Sequence, residues 1–292
     1  GNKSIDELET RERLISLLGN ASEKRDEQVN YSLACRDAFK ARDKAGEPQI
    51  VLAEAGTGVG KTLGYIAPAS LWAEKNEGTV WISTFTRNLQ RQLDFELDRL
   101  FPEAQEKARR VVIRKGRENY FCLLNYEESL NHNPATLPGS WTALGLMARW
   151  ILYTRDGDMR GGDFPGWLKD LLGAGLTTNL TDTRGECIYS GCRHYRRCFV
   201  EHTVRRAESA DIVVANHALV MFQVALGSFG GNKGSAEGRA PIRYIFDEGH
   251  HLFGAADNAF SAHLSAREAA ELRRWLVGTD SGGRKRSRGL RE

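Results

Sequence analysis

The chain has 292 residues, with 41 Lys and Arg against 38 Asp and Glu for a formal net charge of +3, and five cysteines. That length can bury a full core and hold one large or two modest domains, while the near-balanced charge confines any nucleic-acid surface to a local patch. No apolar run approaches the ~18 residues of a membrane span and no secretory leader opens the sequence, so a cytoplasmic protein without a membrane partner is expected.

The first predicted helix covers Ser4–Leu18, with Ile5, Leu8, Ile15 and Leu18 on one side, and is expected to dock on its own core. A second is predicted over Val29–Ala41, where Cys35 reads as a small buried hydrophobe. Gln49–Ala53 reads as a strand leading into Glu54-Ala-Gly-Thr-Gly-Val-Gly-Lys-Thr62. Gly56, Gly58 and Gly60, separated by Thr57 and Val59, let successive backbone N–H groups converge on phosphate oxygens. Lys61 can reach the β- and γ-phosphates, and the Thr62 hydroxyl suits Mg²⁺. Ala55 stands where the first glycine of this pattern usually falls. A chance glycine-rich turn is the bland reading, and it is disfavoured by the strand before and the apolar helix predicted over Thr62–Glu74 after.

Further along, strands are predicted at Thr79–Ser83, Arg110–Arg114, Asp211–Ala215 and Arg243–Asp247, with helices at Thr86–Leu100, Trp141–Tyr153, His202–Ser209 and Ser265–Val277. This alternation reads as βαβ units and an α/β fold built on a mostly parallel sheet. Residues 131–183 carry Pro134, Pro138, Gly157, Gly161, Gly162 and Pro165, which break the rhythm and suggest an inserted subdomain. Gly227–Gly238 reads as a mobile loop.

Tyr244-Ile-Phe246 is an apolar strand ending in Asp247-Glu-Gly-His250, which puts two carboxylates at the strand's C-terminal edge, where ligands of open α/β sheets bind. Asp247 suits Mg²⁺, and Glu248 suits orienting and deprotonating an attacking water, so hydrolysis is favoured over kinase chemistry. His250 is a candidate link from this site to a nucleic-acid surface; the bland reading is a charged turn capping a strand.

Of the cysteines, Cys122 lies far from Cys187-x₄-Cys192-x₅-Cys198. One thiolate apart and three together matches the paired spacing of zinc ribbons poorly and suits an iron–sulfur cubane. Arg184, Arg193, Arg196, Arg197, Arg205 and Arg206 lie among Tyr120, Tyr189, Tyr195 and Phe199, a mixture suited to gripping a single strand and stacking bases. The bland alternatives are a solvated helix face pairing Arg205 and Arg206 with Glu201 and Glu208, and Tyr120 and Phe199 packing beside the cysteines. The lobe is expected to have little core of its own and to rely on a metal group to tie its ends.

With these motifs in place, residues 25–292 resemble the DinG/XPD group of superfamily-two iron–sulfur DNA helicases, nearest its DinG branch. The likeness rests on the phosphate loop, Arg25-Asp-Glu-Gln28, Ser83-Thr-Phe-Thr-Arg-Asn-Leu-Gln-Arg-Gln-Leu93, Lys115-Gly-Arg-Glu-Asn-Tyr-Phe-Cys122, Asp211–His217 and a DEAH-type box with Gly249 for the commoner alanine. It implies a RecA-like motor domain over 25–115 and 204–250, preceded by an N-terminal helix at 1–24. It also implies an iron–sulfur domain at 116–203 and the start of a helical, arch-like insertion at 251–292. The cofactors implied are ATP, Mg²⁺ and a [4Fe–4S] cluster on Cys122, Cys187, Cys192 and Cys198. Arg25 and Gln28 would lie at the nucleotide, with Gln28 on the adenine edge. Thr84, Thr86, Arg87 and Gln90, with Tyr195 and Arg196, would contact single-stranded or forked DNA. An RNA–DNA hybrid is a further candidate substrate.

The resemblance further implies ATP-driven 5′→3′ translocation in repair and replication by a monomer at the bacterial nucleoid. The start at Gly1 and the stop after Arg284–Arg288 are expected of a piece of a longer protein. Lacking a second motor domain, the piece is expected to bind DNA without unwinding it. The rivals are a P-loop NTPase of another class, such as a small-molecule kinase, and a zinc-containing, non-enzymatic nucleic-acid module. A redox switch on the cluster is compatible with the helicase reading.

Overall fold

The computed structural model describes residues 3–19, 26–41, 48–131, 140–170, 179–182, 187–230 and 243–262, with isolated positions up to 276. Arg25, Arg184, most of the glycine-rich run 227–238 and the basic stretch 284–291 lie outside the described residues, as does most of the helix predicted over Ser265–Val277.

Four strands form one parallel sheet in the order β2–β3–β1–β4, namely β1 (Val80–Thr84), β2 (Val111–Ile113), β3 (Ile212–Asn216) and β4 (Arg243–Phe246). Val80 pairs with Ile212 on one side and Arg243 on the other, and Ser83 with Ala215 and Phe246, so the C-terminal ends of three strands finish level. Because successive side chains point to opposite faces, Val80, Ile82, Ile212 and Val214 enter one core and Trp81, Val213 and Ala215 another. The first core is closed by α1 (Glu7–Leu18), α2 (Asp26–Arg36), α3 (Lys61–Asn76) and α4 (Arg87–Leu100), with Leu14, Ile66, Trp72 and Leu97 at its centre. The second is closed by α8 (Phe199–Ala207) and α9 (His217–Gly230) through Ala207 and Val220. Central strands buried on both faces read as continuous apolar runs, which is why β1 and β3 were recognisable.

Local chemistry sets the helix ends. Asp6 caps α1 through a capping box with Glu9, and Arg13 and Lys75 bind α1 to α3 by ion pairs with Glu74 and Glu9. The helix predicted over Val29–Ala41 begins three residues earlier and tightens into a 3₁₀ turn at Asp37–Phe39. Cys35 is half-buried against the first core.

One predicted strand departs from expectation. Gln49–Ala53 is not a strand; Ile50 and Leu52 are exposed, and its tie to the body is Gln49 Nε2 donating to the Asp37 carbonyl at 2.8 Å. Apolar sequence favours a strand only where its N–H and C=O groups find a partner, and β4 pairs with β1 alone among the described residues, leaving its outer edge and Tyr244 open.

Residues 115–198 fold beside the sheet around α6 (Leu123–Asn131) and α7 (Ser140–Ile151). This region was expected to have little core, yet Phe121, Leu144, Met147, Trp150, Met159, Leu168 and Leu180 form a buried cluster of their own. Leu144, Met147 and Trp150 share one face of the predicted helix, but their partners Phe121, Met159, Leu168 and Leu180 lie in separate segments, so the core they make together has no local signature. A short helix, α5 (Ala104–Arg110), precedes β2, and α10 (Leu252–Phe260) follows β4.

Candidate functional site

The glycine-rich loop enters α3 through two left-handed residues, Gly58 and Gly60, at φ +84° and +83°. A Cβ on Gly60 would lie 2.2 Å from Gln28 Nε2, so glycine is required twice over. Gln28 is buried and donates from Nε2 to the Gly60 carbonyl at 2.8 Å, anchoring the loop to α2. Gly56, Thr57 and Gly58 are exposed, and an open cavity lies between residues 57–59 and Asp26 and Glu27 of α2. Lys61 and Thr62 begin α3, whose free first-turn N–H groups favour an anion. Ala55, Gly56 and Val59 complete the loop.

Asp247 and Glu248 arrive at the same place from β4. The Asp247 N–H donates to the Ser83 carbonyl at 2.8 Å, and Lys61 Nζ lies 3.7 Å from Glu248 Oε1. Glu248 is itself left-handed, at φ 55°, and its other carboxylate oxygen is 3.5 Å from His250 Nδ1. Burial, then the Glu248 charge, raises the Asp247 pKa above its ordinary value, opposed by Tyr65 and Lys61. Tyr65 of α3 is buried with its hydroxyl beside Asp247 and Thr62 but without a hydrogen bond of good geometry. A crowded carboxylate pair facing a hydroxyl with spare capacity is a donor set suited to a divalent cation.

Beside these acids runs the end of β1. Thr84 is buried, and Thr86 is exposed and caps α4 by accepting from Leu89 N at 3.2 Å. Arg87 is exposed, whereas Gln90 is buried with Nε2 unbonded. Ser83 Oγ is 2.7 Å from His217 Nδ1, and burial lowers the pKa of that imidazole. Phe85 lies flat on His251, centroids 3.7 Å apart and planes 13° from parallel.

In the second lobe Cys122, Cys187, Cys192 and Cys198 line one cavity, together with Asp182, His194, Tyr195 and Glu201. Burial pushes the Cys122 thiol up to about 11 and raises Cys187 and Cys198, while backbone N–H groups of residues 124, 125, 189, 200 and 201 act in the opposite sense. Among the described residues, no three His, Cys, Asp or Glu side chains converge closely enough to hold a single metal ion.

Local contacts explain the composition of the Lys115–Cys122 lead-in. Tyr120 OH accepts from Lys115 N at 3.2 Å, Asn119 Nδ2 donates to the Gly116 carbonyl at 2.9 Å, and Cys122 N donates to the Leu180 carbonyl at 2.8 Å. Arg117 reaches Cys187 Sγ at 3.3 Å and Glu201 at 3.1 Å. Tyr120 and Phe199 pack beside Cys198. The alternative that paired Arg205 with Glu201 or Glu208 is not what the structure has: Arg205 lies over the Tyr195 ring, 5.7 Å to the centroid, and donates to the Arg196 carbonyl. Arg206 donates to the Ala108 and Val111 carbonyls. Arg196 is exposed.

Sequence reasoning gave no individual role to Arg117, Tyr65, His217 or the Phe85–His251 pair. Arg117, Phe85 and His217 fall inside motifs singled out in the sequence, but which groups they meet depends on which strands are neighbours.

No protein-family model matches the chain. Among curated proteins it is 30% identical over 249 residues, 85% of its length, to "ATP-dependent DNA helicase YoaA" of Haemophilus influenzae. It is 33% identical over 232 residues, 78% of its length, to the protein of the same name in Escherichia coli, and 31% identical over 265 residues, 88% of its length, to "3'-5' exonuclease DinG" of Bacillus subtilis. The chain spans only 36%, 34% and 25% of the length of these relatives. Over roughly four fifths of its own length, the chain is a homologue of the DinG and YoaA proteins.

Proposed function

We propose that this chain is the nucleotide-hydrolysing part of an ATP-dependent DNA helicase. The observation that carries the proposal is the 3.7 Å approach of Lys61 to Glu248, which joins the phosphate loop to the acidic strand end. Both side chains are about one-third exposed, so their pairing is worth only about 0–1 kcal/mol and is easily exchanged for contacts to a triphosphate. Lys61 would then bind the β- and γ-phosphates, freeing Glu248 to orient and deprotonate the attacking water. Thr62 and Asp247 would hold Mg²⁺, which supplies neutralising charge to the phosphate oxygens. Gln28 would keep the loop in register, with Arg25 at the nucleotide, and His250 would tie Glu248 to the neighbouring surface. Thr86, Arg87 and Arg196 are the exposed members of the proposed DNA surface. Thr84, Gln90 and Tyr195 would need to act through backbone or local movement.

The four cysteines would hold a [4Fe–4S] cluster, which ties residue 122 to 187–198 and can in addition carry an electron. A zinc ion with Zn–S of about 2.3 Å would need all four sulfurs within about 3.8 Å of one another. A cubane spreads its four thiolates over four irons, and Cys122, Cys187, Cys192 and Cys198 line one cavity. In this reading residues 25–115 and 204–250 form the RecA-like motor domain, 116–203 the cluster domain and 251–292 the start of an arch-like insertion, acting on single-stranded or forked DNA with 5′→3′ polarity.

The test is ATP turnover by the full-length protein with and without single-stranded DNA, beside an anaerobic iron and sulfide count on the 292-residue chain. DNA-stimulated hydrolysis and four irons per chain are expected. Turnover indifferent to DNA would refute the motor, and a colourless zinc protein would refute the cluster.

A further inference from the structure

Glu248 sits in a backbone region that residues with a Cβ rarely occupy, so its neighbours must hold it there. On one side Asp247 is fixed by its hydrogen bond to the Ser83 carbonyl. On the other, His251 N donates to the Glu248 carbonyl at 3.0 Å, and the His251 ring lies between Phe85, at 3.7 Å, and His250, at 4.0 Å. His250 in turn faces the Glu248 carboxylate at 3.5 Å. Phe85 is therefore stacked on His251, His251 touches His250 at a 42° tilt, and His250 faces the acid. Phe85 stands between Thr84 and Thr86 at the entry to α4, and it is 48% exposed, so whatever lies on that segment meets the ring first.

We propose that the Phe85–His251 stack is the positioning contact through which a nucleic-acid strand lying on residues 84–90 sets Glu248 for hydrolysis. The proposal rests on the DNA-dependent ATPase reading above and names how that site is regulated. A strand seated on the segment presses Phe85 against His251, and the stiffened His251–His250 pair keeps the Glu248 carboxylate aimed at the water. Without a strand the stack opens more often and the left-handed turn relaxes. An aromatic contact of this kind biases such an equilibrium by about 2–12-fold, enough to account for a regulatory response and too little to abolish basal turnover.

The experiment uses the full-length protein and a single-stranded DNA oligonucleotide. Phe85→Ala and His251→Ala should each lower the DNA-stimulated kcat at saturating DNA by about 2–12-fold, while KM for ATP in both, and DNA affinity in His251→Ala, stay near wild type. His251→Phe, which keeps a ring for Phe85 to stack on, should retain the stimulation. The proposal is overturned if either alanine variant is stimulated normally, if His251→Ala loses DNA affinity in step with kcat, or if His251→Phe fails as His251→Ala does. A wild-type protein with no DNA stimulation at all would instead bring down the DNA-dependent reading, and the proposal with it. Thermal melting of each variant separates loss of coupling from loss of fold.

Discussion

Replacing Arg117 with alanine removes three contacts at once. Its guanidinium donates to Glu201 at 3.1 Å and to Cys187 Sγ at 3.3 Å, and it lies 4.5 Å over the Tyr189 ring. The Glu201 side chain is only 7% exposed, so R117A leaves a carboxylate buried without its cation. Breaking a buried pair costs about 3–5 kcal/mol. Arg117 is itself 21% exposed, and water entering the space it vacates should bring the loss to the lower end, about 3 kcal/mol. For a chain of this size that corresponds to a fall in Tm of about 6–12 °C. The assay is a double-mutant cycle of R117A, E201A and R117A/E201A, read by thermal and urea unfolding. The double variant should lose less than the sum of the singles by about 1–3 kcal/mol, because removing both partners leaves no stranded charge. R117A should also retain less iron on anaerobic purification, since Arg117 fixes Cys187. Additivity within about 0.5 kcal/mol would show that the pair is not coupled and that the reasoning from burial is wrong.

Other changes bear on the nucleotide site. Gly60→Ala forces a Cβ into a left-handed position and against Gln28, so Mg²⁺·nucleotide affinity measured by calorimetry should fall by about tenfold or more. Glu248→Gln in the full-length protein should lower ATP turnover by about 10²-fold or more while binding Mg²⁺·ATP at least as well, because it removes the base and spares the phosphate contacts. Asp247 has a folded-state pKa above the ordinary carboxylate value of 3.8, so its charge opposes folding, and the stability conferred by the protonated form is lost as pH rises through the folded pKa. Asp247→Asn should therefore raise the Tm of the nucleotide-free chain at neutral pH, with the gain vanishing as pH falls below 3.8. Gly157→Ala would place a Cβ 2.3 Å from the Phe199 ring at φ +67°, and should destabilise the lobe by about 2–4 kcal/mol in urea melts.

The parts of the fold readable in sequence were those with a local cause. β1 and β3 are continuous apolar runs, α4 is capped by its own Thr86, and the phosphate loop carries its geometry in its glycines. Gln49–Ala53 misled because strand propensity does not say whether a run will pair: among the described residues β4 has an unpaired edge, and this run does not take it. The helix at His217–Gly230 was missed because it is apolar all round, so no amphipathic period marks it, and those at Leu123–Asn131 and Leu252–Phe260 are only nine residues each, too short to show a sustained period. Long-range pairing was the least legible part of the site. Helical spacing placed Glu201 and Arg205 side by side, yet Glu201 is taken by Arg117, 84 residues earlier, and Arg205 by Tyr195. That Cys122 shares a cavity with the later three was visible only as a resemblance, because a separation of more than sixty residues fixes no distance.

The open flank of β4 has a practical consequence for handling the protein. Among the described residues one rim of β4 has no strand partner and Tyr244 on that strand is exposed, and an unpaired rim is a template for chain-to-chain ribbon growth. Aggregation of the isolated chain should therefore begin at this rim and steepen with concentration, and a lysine at Tyr244 is the gatekeeper that would keep preparations clear.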